Sequence, residues 1–316
     1  MSEAVLDKGV DTITVTTPAA GYSSGEVIQL PDGRAGVLSG LVARVSGQEA
    51  AFAVAGQFTL AKTASVVILK GAPLYWDRSA NSATPLKALT GADFYAGTAV
   101  DDATAAATTV VVNLNVQPNY TIDLMRDETD TVNVGDASVS MQPGYAKLSI
   151  LATSEAEKTD IMSAHSVPVT VPFIVEGRMA SLDGSDSTVD MNVGIANATH
   201  ATSADTITES VFIHLDETGD LEIYAESDDG TTEVAATDTT VAYVDNTYFD
   251  FAIDARDLTD IQIYINGVNV LPASVFKLNA ATGPIKLLAH IEKTTGTATG
   301  EMRVSKLALR AMDVAN

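Results

Sequence analysis

The chain has 316 residues, 41 acidic against 18 basic, a formal charge of −23, no cysteine and 46% hydrophobic residues. This composition excludes a disulfide framework, thiolate metal sites and a cysteine nucleophile, and it carries enough apolar residues to bury a core, which excludes global disorder. The charge opposes contact with naked nucleic acid or an anionic membrane, since both are polyanions.

From the N-terminus, MSEAVLDKGVD lacks the basic and then apolar regions of a signal peptide, so none is expected. Thr12-Ile13-Thr14-Val15-Thr16 alternates with period two and is β-branched throughout, which predicts a strand. Further strands are predicted over 36–45, 57–60 and 109–116. Turn chemistry separates them at Ser23-Ser24-Gly25, Pro31-Asp32-Gly33, Asp77-Arg78-Ser79 and Ala80-Asn81-Ser82. Trp76, in Pro73-Leu74-Tyr75-Trp76-Asp77, reads as core packing, with an interface anchor as the alternative. Apolar runs such as Ser65-Val66-Val67-Ile68-Leu69 are far too short to span a bilayer.

The charge then steps. Residues 1–118 hold 10 acidic and 7 basic residues, whereas residues 119–316 hold 31 acidic and 11 basic. A step of this kind marks a domain boundary. The division expected is a domain over 1–117, a linker over 118–135 and an acidic domain over 136–316. In the acidic part, strands are predicted over 146–151, 167–175, 187–195, 210–215, 221–225, 248–253, 261–265, 285–291 and 301–309. One or two helical turns are expected over 154–161, capped by Ser154. The class expected is all-β, with an antiparallel β-sandwich of the jelly-roll type in the second domain.

Chemistry is sparse. His165, His200, His214 and His290 show no metal-ligand spacing and read as surface or hydrogen-bonded strand histidines. A working His214 would need an acid partner and a nucleophile that the local sequence does not supply. No nucleophile elbow, phosphate loop, dinucleotide fingerprint or zinc-protease motif is present, so no enzyme is expected. Three acidic loops lie between strands, around Asp183 and Asp186, Asp216 and Asp220, and Asp228 and Asp229. Oxygen-rich loops can hold calcium, but Asp-Gly is also common turn chemistry and none has EF-hand spacing. These aspartates, with Tyr224, are the candidates for a calcium or glycan site; no other cofactor is expected. Tyr224, Tyr243, Tyr248 and Tyr264 would form a sugar-stacking platform if they converged, and half-buried sheet wall otherwise.

Five segments of the first domain carry a resemblance. Asp11-Thr-Ile-Thr-Val-Thr-Thr-Pro-Ala-Ala-Gly21-Tyr-Ser-Ser-Gly25 is followed by Gly36-Val-Leu-Ser-Gly-Leu-Val-Ala43 and by Ala53-Val-Ala-Gly-Gln-Phe-Thr-Leu-Ala-Lys62. Gly71-Ala-Pro-Leu-Tyr-Trp-Asp77 and Tyr95-Ala-Gly-Thr-Ala-Val-Asp-Asp-Ala103 come next, before the strand Thr109-Val-Val-Val-Asn-Leu114. In order and spacing, residues 8–116 resemble the capsid cement, or head decoration, proteins of tailed bacteriophages. Ala61 departs from the family, which often has proline before the lysine. The resemblance implies a small β-rich, β-tulip-like domain similar to the lambda head-stabilising protein, forming homotrimers at three-fold sites of the expanded major-capsid lattice. It implies a virion location on the outer capsid surface, with an N-terminal arm along the shell. Thr12, Ile13, Thr14, Val15, Tyr22, Ser24 and Trp76 are the contact candidates. The 12–16 strand reads equally as an edge added to a partner's sheet or as an ordinary first strand. More loosely, residues 214–230, 248–254 and 260–268 resemble concanavalin-like, lectin-like sandwiches, with Asn266-Gly267 as a hairpin signal. That likeness carries no sugar binding by itself, although a surface glycan is the alternative partner.

Overall fold

A computed structural model describes residues 11–40, 42–87, 93–182, 188–199, 203–215, 221–312. The chain divides into two compact units, Met1–Asn119 and Tyr120–Asn316. Its strands are all paired antiparallel, and one short 3-10 turn, Ala204–Thr206, is the only helical element among the described residues.

The first unit holds two sheets. One runs in the order Thr12–Thr16, Glu49–Ala53, Ala35–Leu38, Val27–Gln29, and the other Gln57–Ala61, Thr109–Leu114, Phe94–Ala99, Pro73–Asp77, Ser82–Thr84. The period-two pattern sends Val110, Val112 and Leu114 inward onto Ile68, Leu74 and Trp76, joined by Val27 and Val37 from the other sheet. A smaller cluster gathers Ile28, Leu30, Leu38, Phe52 and Val54. Burying each large aliphatic or aromatic side chain stabilises the fold by about 1.5–3 kcal/mol. Asn115, with φ 60°, closes the end of the Thr109–Leu114 strand. Its Nδ2 donates to the carbonyls of Ala35 and Val54 at 2.9 and 2.8 Å, and its Oδ1 accepts from Ala35 N at 2.9 Å.

The second unit is a sandwich of two eight-stranded sheets. One sheet runs Ser138–Gln142, Tyr145–Ile150, Gly300–Ala311, Phe173–Leu182, Phe249–Ala255, Gln262–Ile265, Val268–Asn269, with Ile122–Asp123 beside Gly300–Ala311. The other runs Thr129–Val134, Glu157–Ser163, Pro284–Lys293, Val189–Ala196, Glu209–Leu215, Glu222–Asp229, Glu233–Ala242, with Val167–Pro168 beside Pro284–Lys293. Their inner faces share one core, in which Val193, Ile213 and Ile291 of the second sheet meet Val175, Phe251 and Leu307 of the first.

Two expectations fail here. Residues 118–135 are not linker: Ile122 and Leu124 are buried, and Thr129–Val134 pairs with Glu157–Ser163. Its polar sequence belongs to an exposed edge strand. The 154–161 segment is not helical but enters the strand Glu157–Ser163, buried throughout. Lys158 there pairs with Asp160 two positions along the same strand at 3.3 Å, and Glu157 lies 3.5 Å from Lys293 on the neighbouring strand, so these partners satisfy charges that a helix would have exposed.

Candidate functional site

In the first unit, Thr12–Thr16 is an edge strand paired only with Glu49–Ala53 among the described residues. Thr12 and Thr14 are exposed, while Ile13 and Val15 lean on the Phe52 cluster. The ordinary pairing within its own domain is therefore made, and one edge is left over. Tyr22 stands edge-on to Phe52 at 5.1 Å, and its backbone exchanges hydrogen bonds with Arg44. Ser24 Oγ donates to the Gly40 carbonyl at 2.8 Å. Trp76 is 6% exposed and lies in the core, so it presents no anchor at the surface.

The acidic loops of the second unit separate. Asp183, Asp186, Asp216 and Asp220 lie outside the described residues. Asp228 and Asp229 spend their carboxylates on the turn they begin. Asp228 accepts from Gly230 N at 2.7 Å, and Asp229 from Thr231 N and Thr232 N at 3.0 and 2.7 Å. The four tyrosines do not converge: Tyr224 belongs to one sheet and Tyr264 to the other, where Tyr248 lies against Arg178.

Another constellation emerges from the outer face of the second sheet, turned away from the core. Strand register sets Asp160, His290, Asn192, His214 and Tyr224 side by side across five strands. Glu292 and Asp190 flank this row on one side, and Glu226 on the other. Except for half-buried Tyr224, these side chains are all buried. Above them crosses the Ala204–Thr206 turn, where Ala204 and Ile207 pack on Met162, Phe212 and Leu288 and bring Asp205 over the row.

The two histidines are held differently. His290 bonds through Nδ1 with Asp160 and through Nε2 with Glu292 at 2.9 Å. Burial alone would lower its pKa, but these carboxylates lift it to about 9, so His290 is a satisfied imidazolium. His214 has Asp190 Oδ1 at 2.7 Å from Nε2, with Glu226 Oε2 and Asp205 Oδ1 at 3.4 and 3.8 Å from Nδ1. Yet neither ring nitrogen makes a hydrogen bond of acceptable geometry. Burial opposes its charge, and Asp190 and Glu226 raise its pKa well above the ordinary histidine value. Asp205 is pushed up to about 7 by burial and by the negative charges of Asp190 and Glu226. Asn192 Nδ2 donates to Asp205 Oδ1 at 3.0 Å, which leaves Asn192 Oδ1 unpartnered. Asp190, Asp205 and His214 bring one potential ligand atom each within 4.8 Å of one another.

Of this site, the sequence singles out only His214, His290 and Tyr224. The signal is present as polar residues two apart in mainly apolar strands, Asp190 and Asn192 in one and His290 and Glu292 in another; Lys158 and Asp160 lie in a mostly polar one. Such a pattern shows a face; it does not show which strands lie side by side.

No curated protein matches the chain. Among solved structures it is similar to the Emp47p carbohydrate recognition domain, at 11% identity over 60% of this chain and 93% of that chain, with a TM-score of 0.44. It is similar to a Bacillus licheniformis β-glucanase at 12% identity over 59% of this chain and 95% of that one, with a TM-score of 0.43. A legume lectin-like domain from Entamoeba histolytica gives 12% identity over 60% and 92%, with a TM-score of 0.43. For the N-terminal unit the relation is one of sequence: residues 7–114 match the model of the phage cement protein family.

Proposed function

We propose that the chain is a structural virion protein that binds the outer surface of the expanded phage capsid through its N-terminal unit and stabilises the head. The observation carrying this reading is the match of residues 7–114 to the phage cement protein family. Charge supports the orientation. With 10 acidic and 7 basic residues, the first 118 positions approach a protein lattice with little repulsion; the 31 acidic and 11 basic residues that follow favour solvent. A homotrimer at three-fold sites multiplies weak single contacts through effective concentration. Binding the expanded lattice alone stabilises that state by mass action. The free edge of Thr12–Thr16 is the segment proposed to add to a capsid strand. The role is mechanical and needs no catalysis.

The test is cosedimentation of the full chain with expanded empty heads, followed by cryo-EM of the decorated particle. Density at three-fold positions is expected, and density only at a tail tip would overturn the reading. Placing Lys at both Thr12 and Thr14 puts charge on the edge strand without touching the core. Head affinity should fall by at least about tenfold, roughly the loss of 1.4 kcal/mol, with the melting temperature unchanged. Unaltered binding would remove this strand from the contact.

A second reading, glycan binding by the C-terminal unit, has one observation in its favour: side chains from five adjacent strands line up on one sheet face, with Tyr224 half-exposed at the end. A glycan array of the full chain, with and without calcium, tests it; a blank array under both conditions counts against it.

A further inference from the structure

We propose that Asp190, Asp205 and His214 form a binding site for a divalent transition-metal cation of the zinc type. Three elements converge on it: Asp190 from Val189–Ala196, His214 from Glu209–Leu215 and Asp205 from the Ala204–Thr206 turn. Their ligand atoms fit within 4.8 Å. The neighbouring His290 cluster serves as an internal control. It too holds an imidazole among carboxylates, but there are only two of them, both ring nitrogens of His290 are hydrogen-bonded, and Lys158 adds a positive charge at Asp160. There the imidazole itself is fully bonded, and the one oxygen without a hydrogen bond, Asp160 Oδ2, has Lys158 Nζ at 3.3 Å.

The His214 cluster is not complete. His214 is 3% exposed, Asp190 5% and Asn192 0%, yet the ring nitrogens meet Asp190 and Glu226 only as ion pairs without hydrogen-bond geometry, and Asn192 Oδ1 has no partner. Buried polar atoms without partners are rare, and each calls for a cause such as a bound ion. Three carboxylates, Asp190, Asp205 and Glu226, surround the one imidazole, and their ion pairs among the described residues are with His214 alone. A dication answers the surplus negative charge and the poor hydrogen-bond geometry around His214. With the ion at Nε2 on the Asp190 side, Nδ1 keeps the Glu226 carboxylate beside it at 3.4 Å. Such an outer partner fixes the ring and raises its basicity. Imidazole with carboxylate suits zinc or a related ion, whereas calcium prefers six to eight oxygens. Bound there, the ion ties the Ala204–Thr206 turn to the sheet beneath it.

The experiment uses the full chain without an affinity tag, stripped with EDTA and titrated with zinc(II) by calorimetry. One tightly bound ion per chain is expected, with a rise in melting temperature that grows with zinc concentration. Cobalt(II) should give a visible absorption band that His214→Gln abolishes. Calcium should bind at least about tenfold more weakly, and equal affinity would overturn the assignment to a transition metal. Asp205 is partly exposed and sits on a surface turn. Asp205→Asn should therefore fold even where His214→Gln does not, and should weaken zinc binding at least about tenfold. No stoichiometric zinc binding by the stripped chain, or unchanged binding in Asp205→Asn, would overturn the proposal.

Discussion

Glu176 is nearly inaccessible to solvent, yet it sits within hydrogen-bond distance of three partners. Lys306 Nζ and Arg310 Nη2 donate to it at 2.6 and 2.5 Å, and Tyr120 Oη at 2.8 Å. Burial pushes its pKa up, but the two cations and these hydrogen bonds outweigh that and hold it at about 2, below an ordinary value of 4.5. The folded state therefore gains from the ionised carboxylate at any pH above 4.5 and loses that gain as the pH falls through 2. The shift corresponds to a few kcal/mol at neutral pH. Glu176→Gln should lower stability by about 3–5 kcal/mol at pH 7, because it leaves Lys306 and Arg310 facing an uncharged group. The difference from the parent should shrink toward zero near pH 2, as read by denaturant titration at each pH. In the sequence Glu176 falls just past the strand predicted over 167–175; its cations lie 130 and 134 residues further on.

Elements show the same division between local and distant information. Strands that bury one face, such as Thr109–Leu114, are legible because every second residue is apolar. Strands such as Thr129–Val134 and Glu233–Ala242 are mostly exposed and carry no such contrast. Only pairing to a neighbour makes them strands. Asn115 is a related case. In the sequence it is a polar position inside the strand predicted over 109–116; in the structure it ties the Ala35–Leu38 and Glu49–Ala53 side of the first unit to the end of Thr109–Leu114. Asn115→Ala removes three hydrogen bonds and leaves a non-glycine residue with no side-chain compensation at φ 60°. A loss of about 2–4 kcal/mol is expected in denaturant unfolding of the first unit. Asn115→Gly should recover the conformational part alone.

On the scale of the whole chain, the two units have separate cores, one built by residues 122–309 and the others by residues 27–114. Calorimetry of the full chain should therefore resolve two transitions rather than one. Charge sets their salt dependence. The excess of acidic residues lies almost wholly beyond position 118, and like charges at this density weaken the compact state through self-repulsion. Raising sodium chloride from about 20 to about 200 mM shortens the screening length from roughly 20 Å to below 10 Å. The transition of the second unit should then rise by more than that of the first; equal shifts would show that its acidic residues are locally compensated.

By itself the sequence determined the β class, the step in charge at the domain boundary and the resemblance of its first third to phage cement proteins. Each of these is written in neighbouring residues, as alternation, composition or ordered segments. Tertiary structure decided the rest. Asp190 and His214 are 24 positions apart in sequence, and His290 and Asp160 are 130 apart, yet register across adjacent strands places them on one face. The same registers satisfy His290 completely and leave His214 without a hydrogen bond, a difference that no local pattern encodes. A strand's periodicity fixes which way a side chain points, and only the pairing of strands fixes what it meets.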